Sequence, residues 1–218
     1  MQAIGLFGGT FDPIHFGHLR LAQELSESLG LSEVHFVPAA HPPHRSEPHS
    51  PAQHRVEMAR LAIAGNSLFT LDTREIERSG PSYTFDTLTS LRAEFGAKMP
   101  FYLLLGADAF LGLPTWHRWR ELFGLAHIAV AHRPGFSLDA GSPLMAPELR
   151  VEWQQRYCAH PSSSDAHGTI LSREITALGI SASAIRERLA QGSSPRYLLP
   201  EPVLGYILQH KLYTSGTA

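Results

Sequence analysis

Near the start of the chain, Gly8, Gly9, Thr10, Phe11, Asp12, Pro13, Ile14, His15, Phe16, Gly17 and His18 stand between an apolar run and an amphipathic one. Paired glycines let the backbone come close to a ligand, and a helix starting behind them aims unpaired N–H groups at it. The turn therefore suits an anion, a phosphate above all. It is not a Walker A loop, since no Gly-Lys-Ser/Thr follows, and it is not Gly-x-Gly-x-x-Gly. In place of a lysine it has a histidine pair at i, i+3, which brings two imidazole donors to one place. Zinc fits poorly, because metalloprotease helices space their histidines i, i+4 around a glutamate. Taken singly, the glycines read equally well as turn residues and a helix-start histidine as a cap.

A second group lies far downstream. Ile180, Ser181, Ala182, Ser183, Ala184, Ile185 and Arg186 put hydroxyls at a helix start and an arginine one turn inside. Alone, these serines read as caps. Beside the first turn they read as a second phosphate contact. The chain has 13 histidines, and His41, His44, His49 and His54 cluster in sequence. With no thiolate among them and prolines between, a metal site is not assigned. Trp116 and Trp119 read either as core residues or as planes for a ring to stack on.

The elements that must position these residues follow the alternation of short apolar runs with helical patterns, the rhythm of a parallel sheet covered on both faces. Strands are expected at Ala3 to Phe7, Glu33 to Pro38, Leu68 to Asp72, Phe101 to Leu105, His127 to Ala131 and Thr169 to Ser172. His18 to Leu29 places Leu21, Leu25 and Leu29 four apart, and Gly30 supplies a left-handed stop. Ser50 as cap and Pro51 as first residue open a helix running to Gly65, and Thr84 caps another ending at Gly96. Pro147 to Ala159, Ser181 to Gln191 and Pro202 to Tyr213 complete the helices. Loops fall at 39–50, 133–146, 160–168 and 192–200. The expectation is a single α/β domain over residues 1–218, a Rossmann-like doubly wound parallel sheet with a helical C-terminal part at about 181–213. In such sheets ligands sit beyond the carboxyl ends of the strands.

Composition narrows the function class. The chain has 218 residues, 43% hydrophobic and 17% charged, which is enough to build a core without disulfides or structural metal. A formal net charge of −2 argues against a broad duplex-binding face, so no nucleic-acid partner is expected. Phe101 to Leu113 carries Asp108 and falls well short of the ~20 apolar residues a membrane span needs. The N-terminal segment has no basic n-region, and the single cysteine, Cys158, fits a reducing cytoplasm.

The string Gly-Gly-Thr-Phe-Asp-Pro-Ile-His-Phe-Gly-His-Leu resembles the nucleotidylyltransferase form of the His-x-Gly-His motif, shared more loosely with class I aminoacyl-tRNA synthetases. Residues 180–186 resemble that superfamily's second phosphate motif, Ile-Ser-Ser-Thr-x-Ile-Arg, departing from it at Ala182 and Ser183. Pro42, Pro43, His44 and Arg45 are similar to its Pro-Pro-His-Lys loop. Ser82 to Leu88 match Ser-Tyr-Thr-x-Asp-Thr-Leu, Gly106 to Asp108 match Gly-x-Asp, and Trp116 with Trp119 match Trp-x-x-Trp. Arg133, Pro134 and Gly135 match the next loop, and Tyr206, Ile207, His210, Leu212 and Tyr213 the closing helix. From residue 4 to residue 213 the sequence resembles the bacterial nicotinate mononucleotide adenylyltransferases.

The resemblance implies transfer of AMP from ATP to nicotinate mononucleotide by direct in-line attack on the α-phosphate, giving deamido-NAD and pyrophosphate, with Mg2+ accompanying ATP. It implies catalytic roles for His15, His18 and Arg186. ATP would be bound by Gly8, Gly9, Thr10, Phe11, His15, His18, Gly106, Asp108, Arg133, Ser181, Ser183 and Arg186. The nicotinate nucleotide would be bound by His44, Arg45, Tyr83, Thr84, Asp108, Trp116, His117 and Arg133. Trp116 would stack on the pyridinium ring, and helix N–H groups near Thr84 would receive its carboxylate. Tyr206, Ile207 and Leu212 read as core. Two rivals remain: another adenylyl or cytidylyl transferase, such as the pantetheine-phosphate enzyme, and a nucleotide-binding regulator without chemistry.

Overall fold

The computed structural model describes residues 2–42, 47–136, 138–139, 141–160, 165–176 and 178–214. Its strands are β1 (Ile4–Gly9), β2 (Glu33–Pro38), β3 (Phe69–Leu71), β4 (Phe101–Gly106), β5 (His127–His132) and β6 (Ile170–Glu174). They form one six-stranded sheet in the order β3-β2-β1-β4-β5-β6, every neighbouring pair parallel. This is the Rossmann-like, doubly wound arrangement, and the order reverses between β1 and β4.

Alternation along each strand feeds two apolar layers. Phe7, Phe36 and Leu104 face one way, against α1 (Phe16–Leu29), α2 (Ala52–Ile63) and two late helices, α7 and α8, described below. Leu6, Val37, Leu103 and Leu105 face the other, toward the helix at 84–95, Phe110, Trp119 and Trp153. Phe36, Leu25, Met58, Leu88 and Phe110 are fully buried, each contributing roughly 2 kcal/mol by leaving water. No helix among the described residues is long and apolar enough to cross a membrane.

The helices after β3 are α3 (Arg74–Glu77), α4 (Thr84–Phe95), α5 (Ala107–Leu111), α6 (Pro147–Arg156), α7 (Ala182–Ala190) and α8 (Glu201–Gln209), with 3-10 turns at Leu113–Thr115 and Trp119–Gly124. Several helix starts differ from the sequence expectation. α1 begins at Phe16 rather than His18, so His15 itself occupies the cap position. Pro51, not Ser50, stands at the cap of α2, and no side chain caps that helix. Thr84 is the first residue of α4, behind Tyr83. α8 stops at Gln209, well before Tyr213. The end of α1 follows expectation: Gly30 adopts φ 63°, and the Leu31 N–H reaches the Ser26 carbonyl (3.0 Å). α3, α5 and both 3-10 turns are too short to leave a periodic trace in the sequence.

Candidate active site

The β1–β2 ladder runs to the last residue of β1, where Gly9 pairs with Pro38, but the β1–β4 ladder ends at Leu6 and Leu103. Beyond that point the two strands part, opening a crevice at the place where the strand order reverses. Gly8 lies exposed at its lip, and a Cβ there would meet nothing nearer than the Val37 carbonyl at 4.0 Å. Gly9 has a different duty. A Cβ on it would come within 2.7 Å of the Phe11 ring, which is buried against Phe7, Phe36 and His18. Phe11 takes φ 51°, turning its ring into the core and leaving only its backbone at the turn beside Thr10.

His15 and His18 stack with ring centroids 3.8 Å apart and planes 26° from parallel. The His15 backbone N–H donates to His18 Nδ1 (3.3 Å), which puts the His18 proton on Nε2. His15 is 5% exposed, and burial lowers its pKa to about 4, so it is neutral at pH 7. Its Nδ1 has no hydrogen-bond partner among the described residues. Gly17 is what lets the imidazole lie there, since a Cβ at that position would sit 3.0 Å from the His15 ring.

The late helix reaches the same turn. Arg186 Nη1 donates to the Asp12 carbonyl oxygen (2.6 Å), three residues before His15, and Nη2 faces Ser183 Oγ at 3.4 Å. Ser181 caps α7, its Oγ accepting from the Ala184 N–H (3.2 Å). The start of α1 is held from the same side, with the Phe16 N–H on the Leu198 carbonyl (3.1 Å).

Across the crevice a cavity of about 370 Å³ opens at the ends of β4, β5 and β6, with Gly106, Asp108, His132, Arg133, Phe136 and Leu178 in its wall and Gly17 at its edge. Asp108 stands in the first turn of α5, not on the strand. A further group assembles at the start of α4. Tyr83 stacks on His117 (4.2 Å, 25°), and the Arg118 guanidinium lies 3.6 Å over the Phe85 ring, so residues 116–118 are stitched to the helix start beside Thr84. Trp116 is half-buried there, whereas Trp119 is a core residue packed on Phe123. Ile207 is fully buried, while Tyr206 and Leu212 only border the core. His44 and Arg45 lie outside the described residues.

Three residues to which the sequence assigned no role of their own hold these pieces together. Arg55, 1% exposed, donates to the carbonyls of Thr10 (2.8 Å), Ala39 (2.6 Å), Ala40 (3.2 Å) and Ser50 (3.1 Å). Ser82 continues the chain of contacts, its Oγ accepting from the N–H groups of Ala40 (2.8 Å) and His41 (3.2 Å). The buried Asp12 carboxylate accepts from the His49 N–H (2.7 Å) and the Tyr213 hydroxyl (2.6 Å). For Arg55 a signal existed: it shares the inward stripe of α2 with Met58, Ala59 and Ile63, a place for a charge only if the charge is bonded.

Among the described residues no three His, Cys, Asp or Glu side chains are grouped so as to hold a metal ion. The buried Asp12 carboxylate already serves two donors.

Residues 6–188 match the cytidylyltransferase-like family. A probable nicotinate-nucleotide adenylyltransferase of Dechloromonas aromatica is 52% identical over 217 residues, covering 99% of both chains. One from Methylococcus capsulatus is 46% identical, covering 97% of this chain and all of its own. Among solved structures, the Plasmodium falciparum nicotinic acid mononucleotide adenylyltransferase complexed with NaAD aligns with a TM-score of 0.72 over 98% of both chains. At 20% identity that likeness bears on the fold alone.

Proposed function

The chain belongs to the cytidylyltransferase-like family, as one of its nicotinate-nucleotide adenylyltransferases, and from this we propose how its residues share the work of the reaction. The enzyme transfers AMP from ATP to nicotinate mononucleotide, giving deamido-NAD and pyrophosphate in NAD biosynthesis. Residues 1–218 act as one domain, its C-terminal helical part closing the phosphate end of the crevice.

A phosphate oxygen of the mononucleotide attacks the α-phosphorus, and the bond to the pyrophosphate oxygen breaks, the electron pair leaving with pyrophosphate. The attacking phosphate is already ionised at pH 7, so no proton has to be removed from it. Alignment and fixed donors are then the main contributions. His18 offers Nε2–H to the α-phosphate, and His15, neutral and locked against it, keeps that ring in place and presents the second imidazole. Gly8, Gly9 and Thr10 bring bare backbone to the phosphates, and Arg186 with Ser181 and Ser183 holds the β- and γ-phosphates. The adenosine lies in the cavity walled by Gly106, Asp108 and Arg133, with Asp108 accepting from a ribose hydroxyl. At the other end Trp116 stacks on the positively charged pyridine ring, Tyr83 and His117 flank it, and the N–H groups opening α4 at Thr84 receive the carboxylate. His44 and Arg45 are proposed to reach the mononucleotide phosphate. Magnesium, which nucleotidyltransferases of this kind use with ATP, would neutralise part of the triphosphate charge.

The observation that supports this reading most is the bond from Arg186 to the Asp12 carbonyl, because it joins two phosphate-type motifs that are 174 positions apart in sequence. The test is pyrophosphate release from ATP with a panel of acceptors. Nicotinate mononucleotide should turn over faster than nicotinamide mononucleotide, which lacks the anion for the start of α4. Turnover of pantetheine phosphate alone would refute the assignment, and ATP binding with no product would favour a regulator.

A further inference from the structure

The segment that follows α8 folds back onto the first turn through a contact that the reaction does not use. After α8 the backbone enters the left-handed region at Lys211 (φ 52°) and again at Tyr213 (φ 62°). Side-chain-bearing residues disfavour that region. At Lys211 it is the left-handed stop of α8, closed by the Lys211 N–H on the Leu208 carbonyl (3.3 Å) and the Leu212 N–H on the Ile207 carbonyl (3.0 Å). At Tyr213 it persists only where something holds the result. What holds it is the Tyr213 hydroxyl, which donates to Asp12 Oδ1 (2.6 Å), 201 positions away in sequence. The other carboxylate oxygen, Oδ2, takes the His49 N–H (2.7 Å), and the His49 ring nitrogen Nδ1 stands 3.6 Å from it. Asp12 is 5% exposed. Burial, with the neighbouring carboxylate, pushes the Tyr213 pKa up, so the hydroxyl stays a donor at every working pH.

Asp12 also presents its main-chain oxygen to Arg186 Nη1 (2.6 Å). A carboxylate close to a triphosphate site repels the ligand unless its charge is occupied, and an unoccupied one would compete with phosphate for the guanidinium. Here the Tyr213 hydroxyl and the His49 N–H engage the two carboxylate oxygens, one each, while the Asp12 main-chain carbonyl takes Arg186.

We propose that Tyr213 and the Asp12 carboxylate are positioning residues for the triphosphate, fixing the Asp12 carbonyl and through it the guanidinium of Arg186, without touching a substrate. The proposal rests on the reading of Arg186 as a β- and γ-phosphate ligand. With the tyrosine hydroxyl gone, the carboxylate turns toward Arg186 and takes it from the phosphates. The loss should therefore be felt by ligands that carry a pyrophosphate group and not by those that lack one.

The experiment compares wild type with Tyr213→Phe, which keeps the ring, and Asp12→Asn, which removes the charge should the first variant not fold. ATP, pyrophosphate and AMP are titrated calorimetrically into each. For Tyr213→Phe, affinity for ATP and pyrophosphate should fall roughly five- to tenfold, the range of one hydrogen bond to a charged group only partly transmitted. Affinity for AMP should change by less than about twofold, as should the KM for nicotinate mononucleotide. The double variant should lose less than the product of the single losses, because without a carboxylate charge to turn toward Arg186 the tyrosine hydroxyl has nothing to restrain. Equal weakening of ATP and AMP, an unchanged ATP affinity, or multiplicative losses would overturn the proposal in favour of a purely structural contact. If the wild type fails to use nicotinate mononucleotide, the acceptor assignment falls while the ATP-against-AMP contrast still tests this inference.

Discussion

His15 shows how much a single side chain is changed by its surroundings. In the unfolded chain its imidazole takes a proton below its ordinary pKa of 6.5, whereas in the folded protein it resists protonation until about pH 4. The stability this group contributes is therefore intact above pH 6.5 and is lost as pH falls from 6.5 toward 4, by roughly 3 kcal/mol at most. Two outcomes are expected: the His15 ring shows no NMR titration between about pH 5 and 8, and His15→Asn flattens the acid limb of the denaturant-unfolding curve. A ring that titrates near 6.5 would contradict the burial seen here. His18→Ala should lower kcat by at least ~100-fold in a pyrophosphate-release assay while circular dichroism stays native, as expected for a transition-state donor. Gly17→Ala tests the same ring from outside: its Cβ would stand 3.0 Å from the His15 imidazole, so kcat should fall roughly tenfold or more. The histidine spacing was visible in the sequence. The tautomer and the protonation state were not, because both follow from neighbours that only the folded chain supplies.

At the scale of elements, periodicity located the strands to within a few residues, and helix starts were the weaker part. The Leu21, Leu25 and Leu29 stripe with Gly30 marked the end of α1, but its start lies two residues earlier than expected, because a histidine rather than Ser, Thr or Asp stands in the cap position. Likewise Ser50 and Thr84 carry capping chemistry without acting as caps. Ser181 does act as one, so Ser181→Ala should cost about 1 kcal/mol and lower Tm by about 2–4 °C in a thermal melt. Ser183→Ala, whose hydroxyl meets the Arg186 guanidinium at 3.4 Å and does not cap the helix, should leave Tm unchanged. An equal loss at both positions would indicate that the cap bond contributes little.

For the whole molecule, the arrangement depends on bonds between segments remote in sequence. Arg55 gathers the carbonyls of Thr10, Ala39, Ala40 and Ser50, and Ser82 ties the same region to the start of α4. The glycine turn and the aromatic group at Tyr83 and His117 are thereby parts of one hydrogen-bonded frame. Arg55→Met fills the space but leaves four carbonyls without their donor, so it should cost about 3 kcal/mol or more and lower Tm by on the order of 10 °C. Because both ends of the site hang on that frame, KM for ATP and for nicotinate mononucleotide should rise together. A variant with an unchanged melt would show that the guanidinium is dispensable to the frame.

The sequence by itself determined the parallel sheet, the glycine turn with its two histidines, and the second hydroxyl and arginine segment. Each is encoded within a dozen or so consecutive residues, where strand and helix periods and glycine geometry act locally. Only the tertiary structure decided that Arg55 is a clamp rather than a surface charge, that the Phe11 ring belongs to the core, and that Tyr213 closes on Asp12. A side chain's type states what it can donate or accept. Which partner it meets across 201 positions depends on the closure of the whole chain, and no local pattern carries that information.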